Sequence, residues 1–215
     1  MYIAGIDEAG RGPVIGPMVI AGVLITEEDL GKLAKLNVRD SKMLSRSRRI
    51  KLAEEILRIA KNVKIIEVSP SEIDNAKGRG ISLNVLEAMK IAEIIISLKP
   101  DIIYVDSPDI FPDRFAETVK SFLPNELKEV TIVSEHKADA KFQIVSAASI
   151  VAKVHRDRII TRLKVKYGDF GSGYPSDWRT IRFLQNYVKQ YHDVPDIVRK
   201  SWKTVRKILE SIKSG

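Results

Sequence analysis

The chain of 215 residues contains no cysteine, so disulfides and thiolate metal sites are both excluded. No apolar run reaches the roughly 18 residues that would cross a bilayer, and no secretory n-region and h-region precede the first apolar stretch. Histidines number only three, His136, His155 and His192, and none is paired with another in sequence. That argues against a zinc site and against proton transfer between two imidazoles. Internal repeats, low complexity and linker-like composition are also missing. What remains, 44% hydrophobic and 30% charged residues, describes a globular protein with a sizeable core. A cytoplasmic location and no membrane partner are the expectation.

The net charge of +8 is unevenly spread along the chain. Residues 1–136 carry 19 Lys/Arg against 21 Asp/Glu, whereas residues 137–215 carry 17 against 7. A basic C-terminal part is either a solvated face or the footprint of a polyanion, most often nucleic acid.

The most informative segment is Gly5-Ile6-Asp7-Glu8-Ala9-Gly10-Arg11-Gly12-Pro13, which closes the apolar stretch Tyr2–Ile6. Neighbouring side chains on a strand point to opposite faces, so Asp7 and Glu8 serve one site only if the strand ends or bends there. Gly10 and Gly12 would permit such a bend. Crowded carboxylates favour a cation. Such an acidic pair is as often a plain solvated turn. The run also approaches two phosphate loops: Arg11-Gly12 replaces the Lys-Ser/Thr of a P-loop, and Ile15 takes the third glycine of a dinucleotide fingerprint.

Apolar strands alternate with amphipathic helices along the chain. Strands are predicted at Pro17–Ile25, Val63–Val68, Ile102–Val105 and Val130–Val133. Helices are predicted over Arg46–Ala60, with Ile50, Ala53, Ile56, Leu57 and Ala60 on one face, from the Ser69–Glu72 capping box, over Ile81–Leu98 and from Pro112 to Phe122. From Lys141 onward the chain reads as helical apart from a Gly-rich turn. The pattern implies an α/β fold, a mixed sheet with helices on both faces. Asp106 ends one strand and Asp139 follows another, so Asp7, Glu8, Asp106 and Asp139 would gather at strand ends as an oxygen-only site suited to Mg²⁺ or Mn²⁺. Asp139 alone would more commonly cap a helix. Asp109 and Asp113 read as turn and cap residues.

Six ordered motifs then stand together: Gly5–Pro13, Asp40-Ser-Lys-Met-Leu-Ser45, Tyr104-Val-Asp106-Ser, His136-Lys-Ala-Asp139, Ala147-Ala-Ser-Ile-Val-Ala-Lys153 and Gly171-Ser-Gly-Tyr-Pro-Ser176. On these the chain resembles the ribonuclease HII family, of archaeal kind, over essentially its whole length. The resemblance implies a ribonuclease H-like five-stranded mixed sheet flanked by helices, with residues 1–167 as the catalytic core and 168–215 as a basic helical appendage. It further implies that Asp7, Glu8, Asp106 and Asp139 form the catalytic metal site. Gly10, Arg11 and Gly12 would recognise the ribonucleotide, and Tyr174 would pack on the neighbouring sugar.

Lys42, Arg46, Ser149 and Lys153 are further candidates for substrate contact, each with a bland alternative on the surface or within a helix. The expected substrates are RNA/DNA hybrids and ribonucleotide-containing duplex DNA, cut by a monomer. Some archaeal relatives carry a C-terminal sliding-clamp peptide. Lys207–Gly215 lacks its glutamine and paired aromatics, so a clamp partner is not expected. A binding module without chemistry and a nucleotide-dependent phosphotransferase are the alternatives from other classes.

Overall fold

The computed structural model describes residues 1–38 and 45–213. Five strands, β1 (Tyr2–Ala9), β2 (Met18–Thr26), β3 (Asn62–Val68), β4 (Ile102–Asp106) and β5 (Thr131–Glu135), form one sheet in the order β3-β2-β1-β4-β5. β1 runs antiparallel to β2, and parallel to β4, which is parallel to β5. The helices are α1 (Leu30–Lys35), α2 (Arg46–Ile59), α3 (Pro70–Gly78), α4 (Leu83–Leu98), α5 (Pro112–Ser121), α6 (Ala138–Lys141), α7 (Gln143–Tyr167), α8 (Trp178–Tyr191) and α9 (Lys203–Lys213). The mixed α/β sheet read from the alternation is therefore the observed one.

The chain forms two compact units. The first comprises 1–9, 19–66 and 84–155; the second comprises 10–18, 67–83 and 156–215.

In the first unit, β1 and β2 are buried almost throughout, which explains why they read as continuous apolar runs. Helix α4 buries Leu86, Ala88, Ile91, Ile94, Ile95 and Leu98. Its approach to β2 is close, since a Cβ added at Gly22 would come within 2.4 Å of the Ile94 side chain. Gly5 does the same for α7: a Cβ there would stand 2.2 Å from the Ile144 carbonyl oxygen, so only glycine lets that helix start lie on β1.

The second unit has its own core of Val14, Ile15, Phe170, Leu184, Val188, Val194, Val198 and Val205. Ser69 caps α3 by accepting from the Glu72 N–H, 3.1 Å, with proline in the first turn, as the capping box predicts.

Several expectations fail locally. Leu57, placed on the apolar face of α2, is 49% exposed, and Leu52 is buried instead, because the packed face is rotated from the one its spacing suggested. The chain after Lys141 is not helical throughout: residues 192–202 form turns and a bridge between Val198 and Ile15. Pro195 and the left-handed His192 interrupt the helix there.

Candidate metal centre and glycine loop

The parallel pairing of β1 with β4 stops at Ile6↔Val105, while the pairing of β1 with β2 continues to Ala9↔Val19. β1 therefore neither ends nor turns at Asp7 and Glu8, contrary to what the alternation of side chains seemed to demand. Beyond Ile6 its β4-facing edge is open, and both carboxylates reach the carboxyl end of β4, where Asp106 is the last residue. One oxygen from each of Asp7, Glu8 and Asp106 lies within 4.8 Å of the others, a grouping that could hold an ion. Asp139 does not belong to this closest group. It is buried in the first turn of α6 rather than in a loop before a helix. Asp106 reaches that helix directly, accepting from the Ala138 N–H at 2.6 Å.

Asp7 is the buried member of the group. Burial pushes its carboxyl well above the ordinary value of 3.8, and the charges of Glu8 and Asp106 push it further. A hydrogen bond from Ser149 pulls the other way. Ser149 is fully buried on α7 and also accepts from the Lys153 ammonium at 2.8 Å. The lysine thus acts on Asp7 through a serine, one helical turn apart on the same face. Three oxygen carboxylates, one of them held against its own ionisation, fit a hard divalent cation such as Mg²⁺ or Mn²⁺.

Asp109, by contrast, is engaged as the turn residue its position suggested. It accepts from Arg114 and, second, from the Phe111 N–H, which hold its carboxyl below the ordinary range. Asp113 lies in the first turn of α5.

In the second unit, the residues following β1 form a tight loop. Gly10 has φ +84°, and a Cβ there would meet the Arg156 guanidinium at 2.0 Å. Gly12 needs no left-handed backbone; a Cβ added to it would touch the Tyr174 ring at 3.4 Å. Gly12 was expected to supply part of a bend, but only Gly10 does. The turn carrying Tyr174 is bound to this loop by the Gly173 carbonyl, which accepts from Val14 and Ile15 at 2.8 and 3.2 Å. Tyr174 itself remains 43% exposed beside Gly12, and Arg11 is partly exposed.

A sequence profile of the ribonuclease HII family matches residues 4–205. The ribonuclease HII of Pyrococcus abyssi is 49% identical over 99% of this chain and 93% of its own length. The crystal structure of ribonuclease H2 from Pyrococcus horikoshii OT3 superimposes with a TM-score of 0.93 at 50% identity, covering all of both chains. A structure of the PCNA:RNase HII complex from Archaeoglobus fulgidus matches with a TM-score of 0.85 at 48% identity, over 96% of each chain. The chain belongs to the ribonuclease HII family. It is accordingly a ribonuclease H, an endonucleolytic hydrolase with the ribonuclease H-like fold.

For a ribonuclease HII, the remaining candidates fall in different places. Lys42 lies outside the described residues, together with most of its motif. Arg46 is exposed at the first turn of α2, where Ser45 caps the helix by accepting from the Arg48 N–H. The structure also places at the loop two residues that are not among these candidates. Arg199 is wholly buried and Trp202 donates to the Gly12 carbonyl at 3.3 Å. Both precede α9, which begins only at Lys203, although the chain after Lys141 reads as helical from its sequence.

Proposed function

We propose that the chain is a metal-dependent endoribonuclease that hydrolyses the RNA strand of RNA/DNA hybrids and cuts on the 5′ side of ribonucleotides embedded in duplex DNA, leaving 5′-phosphate and 3′-hydroxyl ends. The observation that carries this reading is the grouping of Asp7, Glu8 and Asp106 within 4.8 Å, where β1 runs past the carboxyl end of the parallel strand β4. Asp139 completes the proposed ligand set from α6. A divalent ion held there would activate water and neutralise phosphoryl oxygens.

The protein's own part is to hold and select. Ser149, itself held by Lys153, orients Asp7 and offsets part of the burial that opposes its ionisation. Gly10, Arg11 and Gly12 offer a loop without side-chain obstruction at Gly12, suited to close main-chain contact with a 2′-hydroxyl, the group that separates RNA from DNA. Tyr174, exposed beside Gly12, offers a flat apolar surface to the adjoining sugar. Lys42 and Arg46 are proposed as phosphate contacts. The enzyme is read as a cytoplasmic monomer. A clamp partner, suggested by the PCNA complex of the A. fulgidus relative, is tested by co-elution of this chain with PCNA.

Cleavage of an end-labelled DNA duplex carrying one ribonucleotide tests the proposal. Metal-dependent incision on its 5′ side, with a 3′-hydroxyl on the upstream fragment, is expected. The 2′-hydroxyl neighbours the 3′ linkage, so it cannot be the attacking group at that bond. A 2′,3′-cyclic phosphate, a cut on the 3′ side, or full activity in excess chelator would overturn it.

A further inference from the structure

The carbonyls of the loop Gly10–Pro17 are almost all taken by three residues of the second unit, most of them by side chains. Arg199 Nη2 donates to the Gly10 oxygen at 2.5 Å and the Gly16 oxygen at 3.0 Å, Nη1 to Arg11 at 2.8 Å and Nε to Gly16 at 3.1 Å. Its own N–H takes the Val14 carbonyl at 2.9 Å. The indole of Trp202, 5.0 Å from the Arg199 guanidinium carbon, takes Gly12. Arg156 takes Ile15 and Pro17, at 3.2 and 3.1 Å. Of the eight carbonyls, only that of Pro13 is left out of this set.

The N–H groups of Val14, Ile15 and Gly16 are also taken, by the Gly173 and Ile197 carbonyls, so the stretch of the loop that can meet a ligand is Gly10–Gly12, and it does so with its carbonyls already engaged. Among the described residues neither guanidinium forms an ion pair, and both are buried. Burial, then the charge of Arg156, pushes Arg199 down to about 9, with Asp74 pulling in the opposite direction, so it stays protonated at neutral pH. Holding two buried cations without a carboxylate is expensive. Neutral donors or water could satisfy the same carbonyls. The charge is therefore the feature that needs a purpose beyond packing. A positive charge in a low-dielectric interior projects a stronger field than one in water.

We infer that Arg199, with Arg156 and Trp202, is a positioning residue for nucleic-acid recognition: it fixes the Gly10–Gly16 loop by its carbonyls and sets positive charge beneath it, so that the outer face of the loop receives a phosphodiester of the substrate strand. This rests on the reading that the loop meets the substrate.

The test compares Arg199→Met, Arg199→Lys and Trp202→Phe in the full chain, at a temperature where circular dichroism shows each folded. The substrate is duplex DNA with one ribonucleotide. Arg199→Met should raise KM about tenfold or more, a factor equal to about 1.4 kcal/mol, with kcat within a few-fold. It should also lower the slope of log KM against log salt by about 1. Arg199→Lys keeps the charge and loses the fork, so the salt slope should be that of the unaltered protein while KM lies between the two. Trp202→Phe keeps the stacking, loses the donor to Gly12, and should raise KM a few-fold only. Mn²⁺ binding, titrated with the metal alone, should be unchanged in all three.

A folded Arg199→Met protein with unchanged KM and salt slope would overturn the inference, as would a loss confined to kcat. If Arg199→Met does not fold, Arg199→Lys decides, and an unaltered KM there sinks the role of the fork. Failure of the unaltered chain to cut the substrate at all would instead refute the proposed function.

Discussion

The two units bury charge of opposite sign. Among the described residues, the buried charged groups of the first unit are all acidic, Asp7, Asp29, Glu87, Asp109 and Asp139, whereas those of the second are both basic, Arg156 and Arg199. The contrast extends to the whole sequence. The second unit has 17 Lys/Arg against 9 Asp/Glu and so carries the entire net charge of +8, leaving the first with 19 against 19. Each unit resolves some of its buried charge internally. Asp29 is bound by Lys32 and Thr26, and Asp109 by Arg114. What each leaves over is the instructive part: Asp7 lies among carboxylates, and Arg199 lies beside Arg156. The first residue calls for a cation and the second for an anion. A nuclease that holds divalent ions and grips a phosphodiester needs one of each.

The strongest way to break this comparison is at the carboxylates. Asp106→Asn should lower turnover about 10³-fold or more, at or beyond what loss of one stabilising donor costs in other enzymes. Duplex binding, followed by fluorescence anisotropy, should persist. Near-normal turnover in saturating Mg²⁺ would show that the acidic cluster is not the reacting centre.

Next in size is the packing that brings α7 over β1. Gly5→Ala drives a methyl group against the Ile144 main chain, which cannot swing aside. A loss of about 1–3 kcal/mol is expected, several degrees in Tm. Because the same helix carries Ser149 to Asp7, divalent-metal affinity should fall with it. Gly31→Ala, with nothing within 4 Å, is the control and should be neutral or slightly stabilising. If Gly5→Ala matched that control, the close helix–strand contact would be wrong.

A smaller effect of opposite sign is expected at Asp7. With its carboxyl raised in the folded state, folding favours the protonated form. That stability is fully present below about pH 4 and is lost as pH rises through the folded value. In chelator, therefore, the apo protein should lose stability on going from pH 4 towards neutrality. Asp7→Asn should flatten that profile and stabilise the neutral apo protein within the ordinary range of single substitutions, about 0.5–3 kcal/mol. Thermal melts across pH with and without Mn²⁺ measure this; a destabilised Asn variant would contradict the burial argument.

Asp29 gives the smallest effect and the mirror image. Lys32 and Thr26 hold it at about 2. Its contribution is present above about pH 4 and is lost as pH falls towards 2, so Asp29→Asn should melt lower at neutral pH and converge with the parent in acid. Parallel melting curves at every pH would show that the pairing is without consequence.

How far the sequence alone reached can be judged at particular residues. The sheet was legible because β1, β2 and β4 are short apolar runs bounded by turn residues, and those local signals survive folding. The grouping of Asp7 and Glu8 with Asp106 was legible because the position of an acid along its strand is a local feature too, whereas Asp139 stands outside that closest group. Asp7 with Glu8 shows where local reasoning stops: alternation demanded a break in the strand, and the observed solution was to end the pairing on one edge only. Leu57 and Leu52 show the same limit, since the face that a helix buries depends on what it packs against.

Arg199 lies furthest from local reading. Its side chain binds carbonyls more than 180 residues away in sequence, and nothing near it in the chain marks it as buried. The kinds of side chain available, their order and the ends of most elements follow from interactions within a few residues, so one dimension suffices to read them. Which of two adjacent acids is desolvated, why Gly10 must lack a side chain, and which arginine is taken out of water depend on atoms brought together by folding. Burial and electrostatics are set by the full three-dimensional neighbourhood, and no run of sequence contains that neighbourhood.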